Sequence, residues 1–369
     1  MPQYWVLNEI TVSKSALLHN YTYFKNLNPQ AQLAPVLKSN AYGHGLIPTA
    51  QFIDTNLPSV PFLCVDSLYE AYELYKANVK TQIFIMGYTD PSNYQVWKNL
   101  PFIFGVSDCE TLLALNKYQP GSRVHLKLDT GMHRLGFTLA DLPQLLSTLK
   151  HCPHLRLEGV YSHLASADDP RQVTATRRQI ALFKQMTALL EAKGYRFSFR
   201  HLAATAGSEI IHDPYFNLIR LGLGFYGYSP FGPHTKEGRR ERQALKPALT
   251  LTTHVAAIKN LVKGDMVGYG GTYIAKQQEV IAILPLGYNE GISRELSNLG
   301  YFILPSKEIC PIIGRVSMNM TTIKIPRGTQ LKPGDALTLA PIQALAQLLH
   351  NIPYTVLTSL HPSIRRTFI

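Results

Sequence analysis

The chain has 369 residues, of which 46% are hydrophobic and 16% charged, and its formal net charge is +12. This composition is typical of a globular protein and excludes a largely disordered chain, and the length predicts two domains. The start of the chain lacks the basic and apolar regions of a signal peptide, and no apolar run approaches the ~20 residues of a membrane helix. We therefore expect a cytoplasmic protein without a membrane partner.

The cysteines and the basic clusters further limit the kinds of ligand and partner that we expect for this chain. The four cysteines have no paired spacing for a zinc site, so we expect no metal and a reducing compartment. The densest basic cluster, residues 236–242, is mixed with acids and is interpreted as a solvated linker, and a smaller cluster is Arg365-Arg366. Neither lies in a nucleic-acid-binding motif, so no nucleic-acid partner is expected.

The predicted elements begin with a strand over residues 4–12. From residue 13 to about 228, short runs rich in Val, Ile, Leu and Phe alternate with amphipathic stretches at helical spacing. Eight such runs lie at residues 32–37, 61–65, 82–86, 102–106, 123–128, 157–162, 197–201 and 216–221. Eight strand–helix repeats predict an α/β fold, a (β/α)8 TIM-type barrel over residues 13–240. A doubly wound sheet is the alternative, which the lack of a Gly-x-Gly-x-x-Gly turn after a strand disfavours.

The pattern of the sequence changes after residues 229–244, a connection that is rich in Pro and Gly and then charged. Runs typical of strands follow at residues 249–258, 279–286 and 309–316, with one helical segment at residues 341–350. We therefore predict a mainly β C-terminal domain over residues 241–369. Residues 1–12 are treated as an N-terminal strand that precedes the barrel and is expected to join the β domain.

Charged or imidazole side chains stand at the predicted ends of five barrel strands: Lys38, Lys127, His163, His201 and Arg220. Catalytic residues of such barrels come from the C-terminal ends of strands. A single strand-end histidine is usually structural, but five such side chains together predict an active site. The glycine-rich turn after Arg220 is suited to hold a phosphate on its N–H groups.

Lys38 lies in the segment Lys38-Ser39-Asn40-Ala41-Tyr42-Gly43-His44-Gly45. Desolvation at the end of a buried strand favours the neutral amine, which can attack a carbonyl and form a Schiff base. Taken alone, the pattern also fits a lysine that returns to solvent. The whole segment closely resembles the cofactor-lysine motif of the alanine racemase family, and further similar segments recur in order along nearly the whole chain.

This resemblance implies a pyridoxal 5'-phosphate enzyme with the cofactor on Lys38. It implies that Arg220 faces the pyridine nitrogen, that His201 supports Arg220, and that His163 lies against the cofactor ring. Because arginine stays protonated, it does not readily give that nitrogen a proton, which limits side reactions. The residues that match the family's phosphate contacts are Tyr42, Thr205, Gly222, Leu223 and Tyr354.

The segment from Lys127 to Gly136 also resembles a family segment, whose lysine is often carbamylated. The resemblance implies that the carbamate holds Arg134 toward the cofactor and the substrate carboxylate. Without the family, Lys127 and Asp129 would be read as an ordinary strand-end charge cluster.

A second decisive segment is Val267-Gly268-Tyr269-Gly270-Gly271-Thr272-Tyr273. By itself it fits a hairpin tyrosine, in a chain with 20 tyrosines. It resembles the catalytic-tyrosine loop of the racemases, which implies that Tyr269 is the second base and that it reaches the active site of the other subunit of a homodimer.

Two later segments, at residues 285–291 and 314–320, match the family too. They imply that the backbone at Met318 contacts the substrate carboxylate. Asn319 stands where aspartate is frequent, and Ala204 stands where asparagine is common. The residues that match the substrate entry are Asp168, Tyr288, Arg294 and Arg315.

The activity implied is interconversion of L-alanine and D-alanine by two bases, Lys38 for the D-isomer and Tyr269 for the L-isomer. The product would supply D-alanine for cell-wall peptidoglycan. Alternatives on the same fold are a racemase of serine, lysine or ornithine, and an amino-acid decarboxylase. A non-catalytic protein that binds pyridoxal phosphate is a further alternative, which the predicted β domain disfavours.

Overall fold

A computed structural model describes residues 5–369, which form two compact units. The first, here called the barrel unit, comprises residues 15–41 and 46–247. The second, the β unit, comprises residues 5–14, 42–45 and 248–369. The first strand, β1 (Asn8–Val12), belongs to the β unit. It coincides with most of the predicted strand 4–12, whose first residue, Tyr4, lies outside the described residues.

The barrel unit contains eight parallel strands, and each overlaps one of the predicted runs. They are β2 (Gln32–Pro35), β3 (Leu63–Val65), β4 (Ile83–Ile85), β5 (Ile103–Val106), β6 (Arg123–Lys127), β7 (Arg156–Tyr161), β8 (Phe199–His201) and β9 (Leu218–Leu221). Strands β3 to β8 form one sheet, and β2 pairs with β9. A bridge between Val36 and Cys64 joins β2 to β3, and the Arg220 N–H donates to the Ala203 carbonyl beside β8 (3.1 Å). The ring is therefore closed, and the predicted (β/α)8 barrel is confirmed.

One helix precedes these strands, and further helical segments lie between and after them. They are α1 (Lys14–Leu27), α2 (Lys38–Tyr42), α3 (Leu46–Asn56), α4 (Leu68–Lys76), α5 (Cys109–Tyr118), α6 (Leu142–Lys150), α7 (Val173–Glu191), α8 (Thr205–Ser208) and α9 (Lys236–Ala244). Side chains cap several N-termini; the Asp108 carboxylate, for example, accepts the N–H of Thr111 (2.7 Å) at the start of α5. Among residues 5–369, no helix has both the length and the apolar character required to cross a membrane.

Helix α9 corrects one expectation from the sequence. Residues 236–242, interpreted as a solvated linker, form most of this helix. The Thr235 hydroxyl accepts the N–H of Gly238 (3.0 Å) and caps it, and Glu241 turns inward and is fully buried. The predicted division between residues 240 and 241 falls within this helix.

The β unit is mainly β, as predicted. Its other strands are β10 (Leu249–His254), β11 (Ala257–Leu261), β12 (Met266–Val267), β13 (Tyr273–Ile274), β14 (Glu279–Leu284), β15 (Tyr301–Ile303), β16 (Ile309–Pro311), β17 (Thr321–Lys324), β18 (Ala336–Leu339) and β19 (Arg365–Phe368). The larger sheet has the order β16-β15-β18-β10-β1-β19, and the smaller has the order β11-β14-β17. Two helices complete the unit, α10 (Ile342–Leu348) and α11 (Pro353–Ser359).

One strand prediction in this unit differs from the structure, and one strand was not predicted. The predicted run 249–258 is two strands in different sheets, because the chain turns at Val255, whose N–H bonds the Asp335 carbonyl (2.9 Å). The basic pair Arg365-Arg366 is part of β19, which pairs in parallel with β1. Pairing across almost the whole chain leaves no local signal in the sequence.

Candidate active site

The lysine-bearing turn after β2 has an unusual backbone. Ser39, Asn40 and Ala41 have φ values of 54°, 56° and 52°, so α2 is a left-handed turn. Such a conformation costs roughly 1–2 kcal/mol for each residue with a Cβ atom, so the surroundings must hold it. Because strain of this kind is concentrated at functional sites, the turn marks the neighbourhood of Lys38.

Glu70 of α4 supplies much of that support. Its carboxylate accepts the N–H of Ser39 (2.6 Å) and the N–H of Asp66 (2.9 Å). The Asn40 side chain in turn accepts the N–H of Leu46 (2.8 Å). The Lys38 ammonium lies 3.8 Å from the Asp66 carboxylate, and its side chain is 37% exposed. The desolvation of Lys38 expected from the sequence is therefore incomplete in this structure.

The side chains at the C-terminal ends of the barrel strands are here called the barrel rim: Lys38, Lys127, His163, His201 and Arg220. Arg220 lies at its centre. Its side chain is buried, and its guanidinium donates five hydrogen bonds. Two go to imidazole nitrogens, His201 Nδ1 (2.9 Å) and His163 Nδ1 (3.3 Å). The others go to the carbonyls of His201, Ser162 and Leu202. Arg220, His163 and His201 are therefore brought together as the sequence predicted.

Both histidines are neutral. Burial, reinforced by the Arg220 charge, lowers the pKa of His163 to about 3 and that of His201 well below its ordinary value. Because the guanidinium is only a donor, each Nδ1 that faces it carries a lone pair. Each ring proton is consequently on Nε2.

Lys127 ends β6 and is 9% exposed. Burial and the neighbouring charges of Arg134 and Arg220 lower the pKa of Lys127 to about 8. The loop after it is closed by paired hydrogen bonds between the backbones of Lys127 and Phe137 (2.8 Å) and of Asp129 and Phe137 (2.8 Å). This loop carries Arg134, whose side chain is exposed.

The glycine-rich turn after Arg220 contacts α8. Thr205, the first residue of α8, accepts the Gly224 N–H on its hydroxyl (3.1 Å). A Cβ atom on Gly224 would lie 2.4 Å from the Phe24 ring, so only glycine fits this approach. Gly222 and Leu223 precede it at the start of a 3-10 helix, Leu223–Tyr226. N–H groups in a first turn have no partner within their own helix, which suits a phosphate.

The remaining two residues expected at the phosphate belong to the β unit. The rings of Tyr42 and Tyr354 lie 5.6 Å apart between centroids. Gly43 permits this, because a Cβ atom there would lie 2.2 Å from the Leu357 carbonyl oxygen of α11. The Arg366 side chain donates to the Gly43 carbonyl (3.0 Å) and holds the same short segment.

Tyr269 occupies the turn between β12 and β13, and its side chain is 69% exposed. Gly268 and Gly270 on either side have φ values of 70° and 71°, which explains the glycines of this motif. Arg315 runs beside the turn, with its Nε 3.7 Å from the position of a Cβ atom on Gly270. Within the β unit, the phenol is thus displayed at the surface.

Asn319 and Met318 lie in the loop before β17. The Asn319 amide donates to Glu290 (2.9 Å), and the carbonyl of Met318 accepts the Asn289 N–H (2.9 Å). Burial raises the pKa of Glu290, but hydrogen bonds from Asn289, Gly287 and Asn319 outweigh it, and the net shift is downward. A neutral amide at position 319 therefore suits a charged neighbour better than the aspartate that is frequent there.

The expected entry residues are exposed side chains. Tyr288, Arg294 and Arg315 belong to the β unit and Asp168 to the barrel unit. Tyr288 is 44% exposed, and its N–H donates to the Ser317 carbonyl (3.0 Å).

The donor set of the barrel rim fits pyridoxal phosphate. The amines of Lys38 and Lys127, the guanidinium of Arg220 and the exposed Arg134 supply positive charge, with Asp66 as a counter-charge to Lys38. An anionic cofactor and a substrate carboxylate would balance this excess.

Three residues of this site were missed by the sequence analysis. His125 stands two positions before Lys127 on β6, so strand alternation places both on one face, a signal that was available. Glu158 bonds His125 and lies beside a bulge, which sequence does not predict. Glu70 belongs to a capping motif, Ser67-Leu68-Tyr69-Glu70, and this local signal was also present.

Comparison with known proteins covers both units. The model described as "Alanine racemase, N-terminal domain" matches residues 12–230, and "Alanine racemase, C-terminal domain" matches residues 248–368. The alanine racemase of Carboxydothermus hydrogenoformans is 32% identical over 97% of this chain and 98% of its own length. That of Streptococcus suis is 32% identical over 98% of this chain and 97% of its own.

Solved structures give the same result. The alanine racemase of Bacillus anthracis with bound L-Ala-P is similar with a TM-score of 0.89 and 29% identity, over 100% of this chain and 96% of that one. The alanine racemase of Streptomyces lavendulae has a TM-score of 0.89 and 26% identity, over 100% and 98% of the two chains.

Proposed function

We propose that this chain, which belongs to the alanine racemase family, is a pyridoxal-phosphate-dependent isomerase that interconverts L-alanine and D-alanine by a two-base mechanism. The observation that carries this proposal is the barrel rim, where Lys38, Lys127 and Arg220 gather around the two neutral histidines. When bound, pyridoxal phosphate supplies an electron sink that stabilises negative charge at the α-carbon of the amino acid.

Lys38 has two roles in this proposal. Its amine would hold the cofactor, and the same amine would move a proton on one face of the α-carbon of the substrate, that of the D-isomer. The left-handed turn and its bonds to Glu70 fix where this amine starts. A general base placed in this way contributes about 10²- to 10⁴-fold to a rate.

Arg220 sets the electronic character of the site. Arg220 would hold the pyridine nitrogen of bound pyridoxal phosphate, and because a guanidinium stays protonated it would not give that nitrogen a proton. Bound in this way, the cofactor would supply a weaker electron sink, which would limit side reactions. His163 and His201 are neutral hydrogen-bond acceptors, so they orient this cation and do not offset its charge.

The other groups bind the anionic parts of cofactor and substrate. Thr205, Gly222 and Leu223 hold the phosphate at the barrel rim, with Tyr42 and Tyr354 as the β-unit contacts. Arg134 and the Met318 backbone receive the substrate carboxylate. Lys127, as its carbamate, orients Arg134, and a pKa of about 8 leaves part of its amine neutral and able to take up carbon dioxide near neutral pH.

Tyr269 is proposed as the base for the L-isomer, acting on the face opposite Lys38. Its 69% exposure within one chain supports a role completed by a second chain. Met266, which lies against Gly271 of the same turn, is 70% exposed. Elsewhere in the β unit, Met318 and Met320 are each 56% exposed. Exposed apolar surface of this kind marks an interface, and a two-fold homodimer would complete two sites at once.

We further propose that the protein acts in the cytoplasm and that its product serves peptidoglycan synthesis. Racemisation of serine, lysine or ornithine remains the second candidate, because Asn319 replaces a charge in the loop beside Met318.

The first test is chiral analysis of L-alanine incubated with the purified chain and pyridoxal phosphate. The expected result is an equal mixture of isomers from the wild type and a loss of about a thousandfold in Lys38→Ala. Lys76→Ala is the control, because Lys76 is an exposed helix lysine paired with Glu73. Absence of D-alanine, with racemised serine, lysine or ornithine in a parallel panel, would contradict the assignment of alanine. Carbon dioxide release would indicate a decarboxylase instead.

The shared site has its own test. A Lys38→Ala chain mixed with a Tyr269→Phe chain is expected to regain part of the activity, since one site of the heterodimer has both bases. Heterodimers that form without any recovery would contradict a site shared between subunits.

A further inference from the structure

A line of hydrogen bonds crosses the interior of the barrel behind Arg220. His201 Nε2 lies 2.9 Å from His125 Nδ1, and His125 Nε2 lies 3.2 Å from the Glu158 carboxylate. Arg123 closes the line with two bonds to the same carboxylate, of 2.9 Å and 2.6 Å. Arg123 is the first residue of β6 and His201 the last of β8, so the line joins opposite ends of the strands.

The direction of every proton in this line is determined by its ends. Arg220 can only donate, so His201 Nδ1 accepts and its proton is on Nε2. His125 Nδ1 must then accept that proton's hydrogen bond, so the proton of His125 is on Nε2 and points to Glu158. Although burial raises the pKa of Glu158, hydrogen bonds from His125 and Arg123 lower it to about 2, so this end is a carboxylate.

A bulge and a glycine in the local backbone make room for these hydrogen bonds. The register of β6 and β7 shifts between Val124 and His125, so Glu158 falls in a bulge between the paired residues Leu157 and Gly159. Gly159 faces His125, and a Cβ atom there would lie 2.9 Å from the imidazole. A larger residue at position 159 would displace the ring.

Aromatic rings enclose the two histidines. Phe84, Phe62 and Phe199 lie 4.8 Å, 5.5 Å and 5.7 Å from His125 between ring centroids. Tyr161 stacks on His201 at 5.1 Å. Both imidazoles are fully buried, so each has only protein partners, and a lost partner leaves a buried polar group unsatisfied. Such a loss destabilises the fold, so these hydrogen bonds are sensitive to the removal of any one partner.

We propose that Glu158 and His125 are positioning residues of the active site. Glu158 fixes the proton on His125 Nε2, His125 fixes the proton on His201 Nε2, and His201 therefore presents a lone pair to Arg220. An ion pair at the far end of the barrel thus sets the orientation of a guanidinium at the rim. The effect on racemisation rests on the proposed function; the effect on His201 does not.

The experiment combines nitrogen-15 NMR of histidine-labelled full-length protein with racemisation kinetics. The wild type is expected to show His201, assigned by its loss in His201→Gln, as a single Nε2–H tautomer. In Glu158→Gln the amide presents a donor as well as an acceptor, so we expect mixed tautomers at His201. We also expect kcat to fall about tenfold with little change in KM, as for other outer partners of functional histidines.

A second variant and a matched control complete the design. His125→Phe places an apolar ring among Phe62, Phe84 and Phe199 and removes the acceptor for His201, so it should lose the single tautomer and slow racemisation as well. Glu191→Gln breaks the ion pair with Arg200, whose side chains are each 26% exposed, against 29% and 19% for Arg123 and Glu158. It should change neither readout.

The proposal is overturned if His201 keeps one tautomer in both variants, or if Glu191→Gln has the effect of Glu158→Gln. It is also overturned if the tautomer changes and kcat does not, because Arg220 would then be independent of the line. A wild type without racemase activity contradicts the proposed function instead, and the tautomer measurement then decides the role of Glu158 and His125.

Discussion

The barrel unit and the β unit hold their candidate residues in opposite ways. In the barrel unit, Arg220 and His201 are buried and bonded to each other, and Arg220 also donates to backbone carbonyls. In the β unit, Tyr269 and Met318 are 69% and 56% exposed. A cofactor that is bound in one orientation requires side chains that are preorganised before it binds. A base that acts across a subunit boundary must be displayed on the surface before assembly.

Apart from substitution of Lys38, the largest effect should come from Tyr269, although its side chain is exposed. Tyr269→Phe removes the proposed base for the L-isomer, and we expect racemisation to fall by about 100-fold or more. Because Lys38 remains, D-alanine should still exchange its α-hydrogen in deuterated water without inversion. Proton NMR of the exchange and chiral analysis of the same samples measure both.

Tyr69→Phe is the control for that variant, because Tyr69 is 71% exposed on α4. Equal loss of exchange and racemisation in Tyr269→Phe would break the comparison, since Tyr269 would then support the barrel site as a whole.

The barrel unit also contains a group that lowers the stability of the fold, the buried carboxyl of Glu241. This side chain is fully buried, and among residues 5–369 neither of its carboxylate oxygens has a hydrogen bond of good geometry. Burial raises its pKa from 4.5 to about 8, with Glu209 adding to the rise and Arg240 opposing it. The unfolded chain ionises first, so the free energy of unfolding falls as the pH rises from about 4.5 to about 8.

Glu241→Gln should remove this dependence. We expect the variant to be more stable by roughly 4–5 kcal/mol at a pH of about 9 and equal to the wild type at a pH of about 4. Denaturant titrations across this range test it, with Glu237→Gln on the same helix as the control. A wild-type stability that does not fall between these pH values would show that Glu241 is ionised in the folded chain.

A smaller effect is expected at Lys127, where the barrel rim changes with pH. Only the neutral amine forms a carbamate, and a pKa of about 8 makes half of the amine neutral at that pH. Activation by bicarbonate should therefore follow a midpoint near pH 8, and Lys127→Ala should lose about tenfold in kcat/KM. An exposed lysine, Lys150, provides the control substitution. Full activity without bicarbonate dependence, together with an unmodified Lys127 in the mass spectrum, would contradict this role.

The smallest effect should come from Asn319→Asp in the β unit. The new carboxylate would stand 2.9 Å from the Glu290 carboxylate in place of a donor. We expect a loss of roughly 0.5 kcal/mol in stability and a change in KM for alanine, because repulsion shifts the loop that carries Met318. Thermal melts and KM values measure the two effects. A more stable variant would mean that Glu290 takes up a proton.

The sequence by itself determined the barrel, its rim and the family. Buried parallel strands are continuous apolar runs whatever their neighbours, so all eight were visible before the structure. Lys38 and Tyr269 lie in long segments whose glycines reflect the local backbone geometry. Adjacent residues determine that geometry, so the sequence shows it directly. The same holds for the Arg220 turn with its glycines.

Only the tertiary structure decided which residues far apart in the chain come into contact. Glu158 reaches His125 through a bulge, Arg365 and Arg366 form a strand beside β1, and the charged segment 236–242 becomes a helix around a buried Glu241. Each of these depends on a partner far away in the chain. The donor and acceptor of each hydrogen bond between Arg220 and Glu158 likewise depend on both ends together. A neutral imidazole can carry its proton on either nitrogen, and the neighbouring groups determine which one.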